Sequence, residues 1–196
     1  MAKLYFRYAA MNAGKSTALL QVAHNYEERD QSVRLFTSAI DTRFGRGRIV
    51  SRLGVERPAA LFDAETEFNA LLLGSSLPSS LPSSLPSCVL IDEAQFLTER
   101  QVTDLHRFAH VEGVPVICYG IRSDFQGRSF PGSRALLTLA DDLEEIKTVC
   151  RCGRKASFNM RVDDEGRRVT EGAQVEIGGN ERYEAVCPLR FYTGNC

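Results

Sequence analysis

The chain has almost no net charge, no long apolar run and little histidine, and each shortage removes a class of function. Lysine and arginine number 24 against 25 aspartates and glutamates, a formal charge of −1 over 196 residues. No global positive field therefore draws it to nucleic acid or to an anionic membrane surface. No apolar segment nears the ~20 residues that span a bilayer. The first residues lack a basic-then-apolar leader, so the expectation is a cytoplasmic, unexported protein. The three histidines, His24, His106 and His110, all precede the last third of the chain and leave it no imidazole ligand. Hydrophobic residues at 43% nevertheless suffice for a sizeable core. The length suggests one domain, or one domain with a small appendage.

The most informative stretch is Ala9-Ala10-Met11-Asn12-Ala13-Gly14-Lys15-Ser16-Thr17. Leu4, Tyr5, Phe6 and Tyr8 before it read as a short strand. Leu19, Val22, Ala23 and Tyr26 after it recur at helical spacing. A small-residue loop between strand and helix, ending in Gly-Lys-Ser, fits a polyphosphate-binding loop with its backbone N–H groups aimed at the anion. Lys15 would reach the terminal phosphates and the Ser16 hydroxyl would hold Mg²⁺. One departure is Ala9 in place of the usual first glycine, acceptable where the backbone keeps φ negative. The partner motif is Val89-Leu90-Ile91-Asp92-Glu93, an apolar run stopping on two carboxylates. Asp92 would position Mg²⁺ beside Ser16, and Glu93 would accept a proton from an attacking hydroxyl. A nucleoside triphosphate is the expected ligand. Whether water or an acceptor alcohol attacks it is left open by these motifs.

Strands are expected at 33–37, 88–91 and 114–120, with Pro115 marking a strand start or an edge. Val102, Leu105, Phe108 and Ala109 give a helical face between the last two, and a further helix is expected around 68–73. This alternation predicts an α/β fold with a parallel sheet covered on both faces. Residues 75–86 are three copies of Ser-Ser-Leu-Pro, read as a flexible surface loop, a docking peptide being the alternative. After residue 146 the texture turns to short, turn-rich pieces bounded by Cys150, Cys152, Cys187 and Cys196. Some 50 residues bury little apolar area, so such a lobe calls for a staple. A reducing compartment makes these thiols metal ligands, whereas Cys88 and Cys118, within apolar strands, are buried packing residues.

Six motifs in one order, Ala10–Thr17, Ile40–Gly45, Asp92–Phe96, Tyr119–Phe125, Lys147–Ala156 and Ile177–Tyr183, resemble those of the type II thymidine kinases. The resemblance covers nearly the whole chain except the Ser-Ser-Leu-Pro insert and the last residues. It implies a P-loop (RecA-like) kinase domain at 1–145 and a zinc-ribbon-like lobe with a lasso loop at 146–196, closing over the nucleoside. It implies transfer of the ATP γ-phosphoryl to the 5′-hydroxyl of thymidine, and of deoxyuridine too, in deoxynucleotide salvage. Glu93 matches the general base. Residues Ala9, Ala10, Met11, Asn12, Ala13, Gly14, Lys15 and Ser16, with Asp41, Thr42, Arg43 and Asp92, Glu93, Ala94, Gln95, match the ATP site, and Ser16 and Asp92 its magnesium. Phe96, Phe125, Phe130 and Tyr183 match the thymidine pocket, with Val175, Glu176, Ile177 and Gly178 supplying backbone contacts. A homotetramer and feedback inhibition by dTTP are also implied.

The resemblance further implies one structural Zn²⁺ with its last ligand three positions after Cys187, where this chain has Arg190, permanently cationic and unable to ligate. The reading adopted is zinc on Cys150, Cys152 and Cys187 with Cys196 folding back as the fourth ligand. A three-coordinate or metal-free site is the alternative. Five arginines between 43 and 57 read as a solvated loop and subunit-interface segment rather than a nucleic-acid patch. The rival function is a nucleic-acid-binding P-loop ATPase, against which the near-neutral charge counts. Neither a nucleic acid nor a membrane is an expected partner.

Overall fold

A computed structural model describes residues 1–41, 45–74, 85–175 and 182–196. In chain order it contains β1 (Leu4–Tyr8), α1 (Lys15–Glu27), β2 (Val33–Ser38), β3 (Arg48–Val50), β4 (Glu56–Pro58), β5 (Ala60–Phe62) and α2 (Phe68–Leu72). There follow β6 (Cys88–Ile91), α3 (Glu99–Val111), β7 (Val116–Gly120), α4 (Pro131–Leu139) and β8 (Asp142–Glu145). The last part comprises β9 (Thr148–Val149), β10 (Lys155–Ala156), β11 (Phe158–Val162), β12 (Arg168–Val169), β13 (Tyr183–Val186) and α5 (Pro188–Thr193). Residues 75–84 of the Ser-Ser-Leu-Pro insert, Thr42, Arg43 and Phe44, and 176–181, including Glu176, Ile177 and Gly178, lie outside the described residues.

Six strands form one parallel sheet in the order β5-β2-β6-β7-β1-β8. Side chains alternate across a strand, and the two faces divide accordingly. Leu4, Phe6, Val89, Ile91, Val116 and Cys118 pack with Phe68 and Leu72 of α2, Val102, Leu105 and Phe108 of α3, and Leu136 of α4. Cys88, Leu90, Ile117 and Tyr119 pack on the other face against Leu19, Leu20 and Ala23 of α1 and Ile49 of β3. The expected helical faces are thus the buried ones, and both Cys88 and Cys118 are fully buried. Pro115 stands just before β7, which is central rather than at an edge, so its missing N–H costs the ladder nothing. A capping box sets the start of α3: Gln101 N–H donates to Thr98 Oγ1 at 3.2 Å, and Thr98 N–H donates to Gln101 Oε1 at 2.9 Å.

A third apolar cluster, Cys150, Ala156, Met160, Val162, Val186, Cys187 and Phe191, serves the last 50 residues. It lies between the antiparallel sheet β12-β11-β13, the hairpin β9-β10 and α5. Among the described residues no helix is long and apolar enough to cross a membrane.

Candidate active site

Parallel strands bring all their carboxyl ends to one edge of the sheet, and ligands of open α/β sheets bind there. The turn after β1 runs through two left-handed residues, Asn12 (φ 64°) and Gly14 (φ 83°), the latter capping α1. Glycine takes that conformation without Cβ strain, which explains why Gly14 precedes Lys15. Ala9, at the site of the missing glycine, is buried and donates its N–H to Gly120 O at 3.2 Å, continuing the β1–β7 ladder. Its φ is not positive, so alanine fits. Lys15 is 8% exposed and its Nζ donates to Ala10 O at 3.1 Å, so the ammonium sits inside the curl of its own loop.

Asp92 leaves the end of β6 and lies next to this loop. Ser16 Oγ donates to Asp92 Oδ2 at 2.8 Å, and Glu93 N–H donates to Asp92 Oδ1 at 3.0 Å. Burial pushes the Asp92 carboxyl up to about 7, helped by Glu93 and opposed by Ser16 and Lys15. Such a carboxylate is in want of a nearby cation. Ser16, Thr37, Asp41, Asp92 and Glu93 line a hollow of about 20 Å³ beneath β3, together with Arg48, Ile49 and Val50; the first five offer oxygen donors of the kind a hard ion takes. A larger cleft of about 630 Å³ opens beside it, between Met11–Ala18 and the β3–β4 turn at Ser51, Arg52 and Leu53, with Glu93 and Ile121 on its wall.

Glu93 adopts φ 54°, a left-handed conformation that costs a non-glycine residue free energy. Its side chain is half-buried and accepts a hydrogen bond from Gln95 Nε2 at 2.5 Å. The Gln95 Oε1 in turn accepts from Ile121 N–H at 3.2 Å. A 3₁₀ turn at Ala94–Phe96 thus orients the carboxylate. Close backbone contact supports the turn: a Cβ on Gly132 would fall 2.6 Å from both Ala94 O and Leu97 O.

The four aromatic candidates meet in two edge-to-face pairs. Phe96 and Phe130 have centroids 5.8 Å apart, Phe125 and Tyr183 6.4 Å. Each pair takes one ring from the β7–α4 connection. Val175 is 37% exposed. Sequence reasoning missed two residues here. The Arg161 guanidinium lies 3.9 Å over the Phe125 ring, and its Nε donates to Tyr183 Oη at 2.9 Å, fixing both rings. Asn159, 3% exposed on β11, accepts from Met11 N–H at 2.7 Å and donates to Ser123 O at 3.0 Å. The signal available for both was a polar side chain at an inward position of the short apolar strand 158–162.

Four thiols converge in the last 50 residues. Cys150 and Cys152 follow β9, Cys187 precedes α5, and the tail beyond α5 brings Cys196 back, with Gly194 at φ 80°. All four sulfurs lie within 4.8 Å of one another, with Cys150 to Cys196 at 3.6 Å and Cys152 to Cys187 at 3.8 Å. A tetrahedral zinc with Zn–S near 2.3 Å holds its sulfurs about 3.8 Å apart. The cluster is therefore compatible with structural zinc. Burial opposes the Cys150 thiolate, but backbone N–H groups of Cys152 and Cys187 and the adjoining thiols bring it down to about 6. Arg190, 5% exposed, pairs with Glu184 at 2.7 Å.

A family model described as thymidine kinase matches residues 2–191. A thymidine kinase of Chromobacterium violaceum is 57% identical over 192 residues, spanning 98% of this chain and 99% of its own. Those of Albidiferax ferrireducens and Idiomarina loihiensis are 55% and 54% identical, across 98% and 95% of this chain and 93% and 94% of theirs. With agreement from end to end at more than half of all positions, the chain belongs to the thymidine kinase family.

Proposed function

We propose that this enzyme transfers the γ-phosphoryl group of ATP to the 5′-hydroxyl of thymidine, giving dTMP and ADP. The observation that carries the chemistry is Glu93, fixed by Gln95 on the wall of the cleft that borders the Gly14-Lys15-Ser16 turn. Glu93 takes the proton of the 5′-hydroxyl as its oxygen bonds to the γ-phosphorus. The bond from that phosphorus to the β–γ bridging oxygen breaks, and ADP departs. Lys15 and the loop N–H groups face the triphosphate, with Asp41, Thr42, Arg43 and Ala94 completing its surroundings. Ser16 and Asp92 would hold Mg²⁺, which supplies neutralisation of phosphate charge when bound. The hydroxyls and carboxylates of Ser16, Thr37, Asp41, Asp92 and Glu93 around the same hollow support this, with Arg48 also on its wall.

Phe96, Phe125, Phe130 and Tyr183 are assigned to the thymidine pocket, and Val175, Glu176, Ile177 and Gly178 to its edge. Flat aromatic walls suit a pyrimidine, while hydrogen bonds at its edge discriminate thymine from cytosine. Residues 1–145 are taken as the kinase domain and 146–196 as a zinc-ribbon lobe, with Cys196 as fourth ligand. The inter-sulfur distances support that ligand set. A cytoplasmic homotetramer regulated by dTTP completes the reading.

The test is ADP release measured with thymidine, with single-stranded DNA and with neither. Release dependent on thymidine supports the proposal. Release dependent on DNA would favour the nucleic-acid-stimulated ATPase instead.

A further inference from the structure

Two of the three histidines meet on the far side of the molecule from the nucleotide loop. His106 and His110 stand one turn apart on α3 with ring centroids 4.6 Å apart. Both rings turn the same atom toward one carboxylate. His110 Nε2 lies 3.1 and 3.0 Å from the two oxygens of Asp141, and His106 Nε2 lies 3.7 Å from Oδ1. One ligand atom from each of the three falls within 4.8 Å of the others. Asp141, between α4 and β8, is itself anchored, its Oδ2 accepting from Leu4 N–H at 2.8 Å. Leu4 begins β1, whereas the nucleotide loop follows its other end.

We propose that His106, His110 and Asp141 form a second metal site, separate from the four-cysteine cluster, for a divalent transition ion such as zinc, nickel or cobalt. Three arguments carry it. Histidines four apart on a helix present two nitrogens to one point, an arrangement ready to chelate. Ligands at about 2.0–2.1 Å around a tetrahedral ion sit roughly 3.3–3.4 Å apart, and the measured 3.0 to 3.7 Å bracket that spacing. The Asp141 contact to the β1 backbone is the outer support that ordered metal sites use to fix a ligand's orientation. Two imidazoles and one carboxylate select borderline ions over Mg²⁺ or Ca²⁺, which prefer oxygen alone. The side chains are 24% to 33% exposed, so water can fill the remaining positions. An ion there would clasp α3 to the α4–β8 connection and the start of β1.

The experiment uses untagged full-length protein with its tightly held zinc content measured before and after. Titration with Ni²⁺ is expected to show one added equivalent and a higher melting temperature, with no zinc displaced. His106→Ala and His110→Ala should each weaken nickel binding at least tenfold and abolish the thermal shift. Should either variant fold poorly, the wild type decides alone. Co²⁺ should shift or broaden the ring resonances of His106 and His110 in the proton spectrum and leave His24, on α1, unmoved. Nickel affinity unchanged in both variants, no stoichiometric uptake by the wild type, or ring signals of His106 and His110 indifferent to cobalt would overturn the proposal.

Discussion

Replacing Gly132 with alanine adds one methyl group where the backbone leaves no room for it. The new Cβ would meet Ala94 O and Leu97 O at 2.6 Å and Gln95 O at 2.8 Å. All three are main-chain atoms of the turn that follows Glu93, so no side chain can swing aside. Restoring ordinary contact requires α4 and that turn to part by about 0.8 Å. Overpacking of this kind costs about 1–3 kcal/mol, and three rigid contacts put this case toward the upper end. Alanine's better helix propensity returns at most about 1 kcal/mol. The net loss is about 2 kcal/mol, a fall in melting temperature of roughly 4–8 °C for a chain of this length. The same displacement moves Gln95, whose amide holds the Glu93 carboxylate. We therefore expect kcat/KM for thymidine to drop at least tenfold alongside the stability loss. Urea unfolding and a coupled ADP assay on Gly132→Ala measure the two effects. A variant melting at or above the wild-type temperature with full turnover would refute the reasoning.

Glu93→Gln should retain nucleotide binding and lose turnover by roughly 10²–10⁴-fold, the usual worth of a positioned base. An unchanged rate would remove Glu93 from that role. Cys196→Ser should release zinc to a chelator at least tenfold faster than wild type, followed with a colorimetric indicator. Wild-type protein purified with under a tenth of an equivalent of zinc would sink the four-thiol assignment. Asp163, in the β11–β12 turn, is held below the usual carboxylate range chiefly by the Arg167 N–H; burial opposes this, and the Arg167 side chain adds to it. A depressed pKa stabilises the fold above the unfolded value and is lost as pH falls through the folded one. Asp163→Asn should therefore flatten the acid limb of the stability curve below about pH 4 and leave ion-independent packing untouched. A mutant limb superimposable on the wild type would discount this turn.

The central strands and the helical faces were legible because burial imposes period. Leu19 and Ala23, or Val102, Leu105, Phe108 and Ala109, could be assigned inward from spacing alone. β8 was not legible. Asp142-Leu143-Glu144-Glu145 carries one apolar residue and is largely exposed, and what makes it a strand is pairing with β1, aided by the Arg7–Glu144 ion pair at 2.9 Å. The β3–β4 hairpin hid within the arginine-rich stretch for the same reason, its diagonal neighbours Arg48 and Glu56 meeting at 2.7 Å. In the candidate site, the turn between β1 and α1 and the acidic pair after β6 were readable as local motifs. Gln95 was readable within the Asp92–Phe96 motif, whereas Asn159 and Arg161 act across long sequence separations, and their one local signal was a polar side chain in the short apolar strand 158–162. Cys196 was readable only by elimination of Arg190, and tail geometry supplied the rest.

The Asn159 bridge carries a consequence for how freely this protein could be taken apart or recombined. One carboxamide joins the main chain of the β1–α1 turn to a strand almost 150 positions downstream. A truncation near residue 145, or a borrowed tail without an acceptor at position 159, would leave the amide of Met11 without this partner. Swapping either half therefore means transplanting the contact as well.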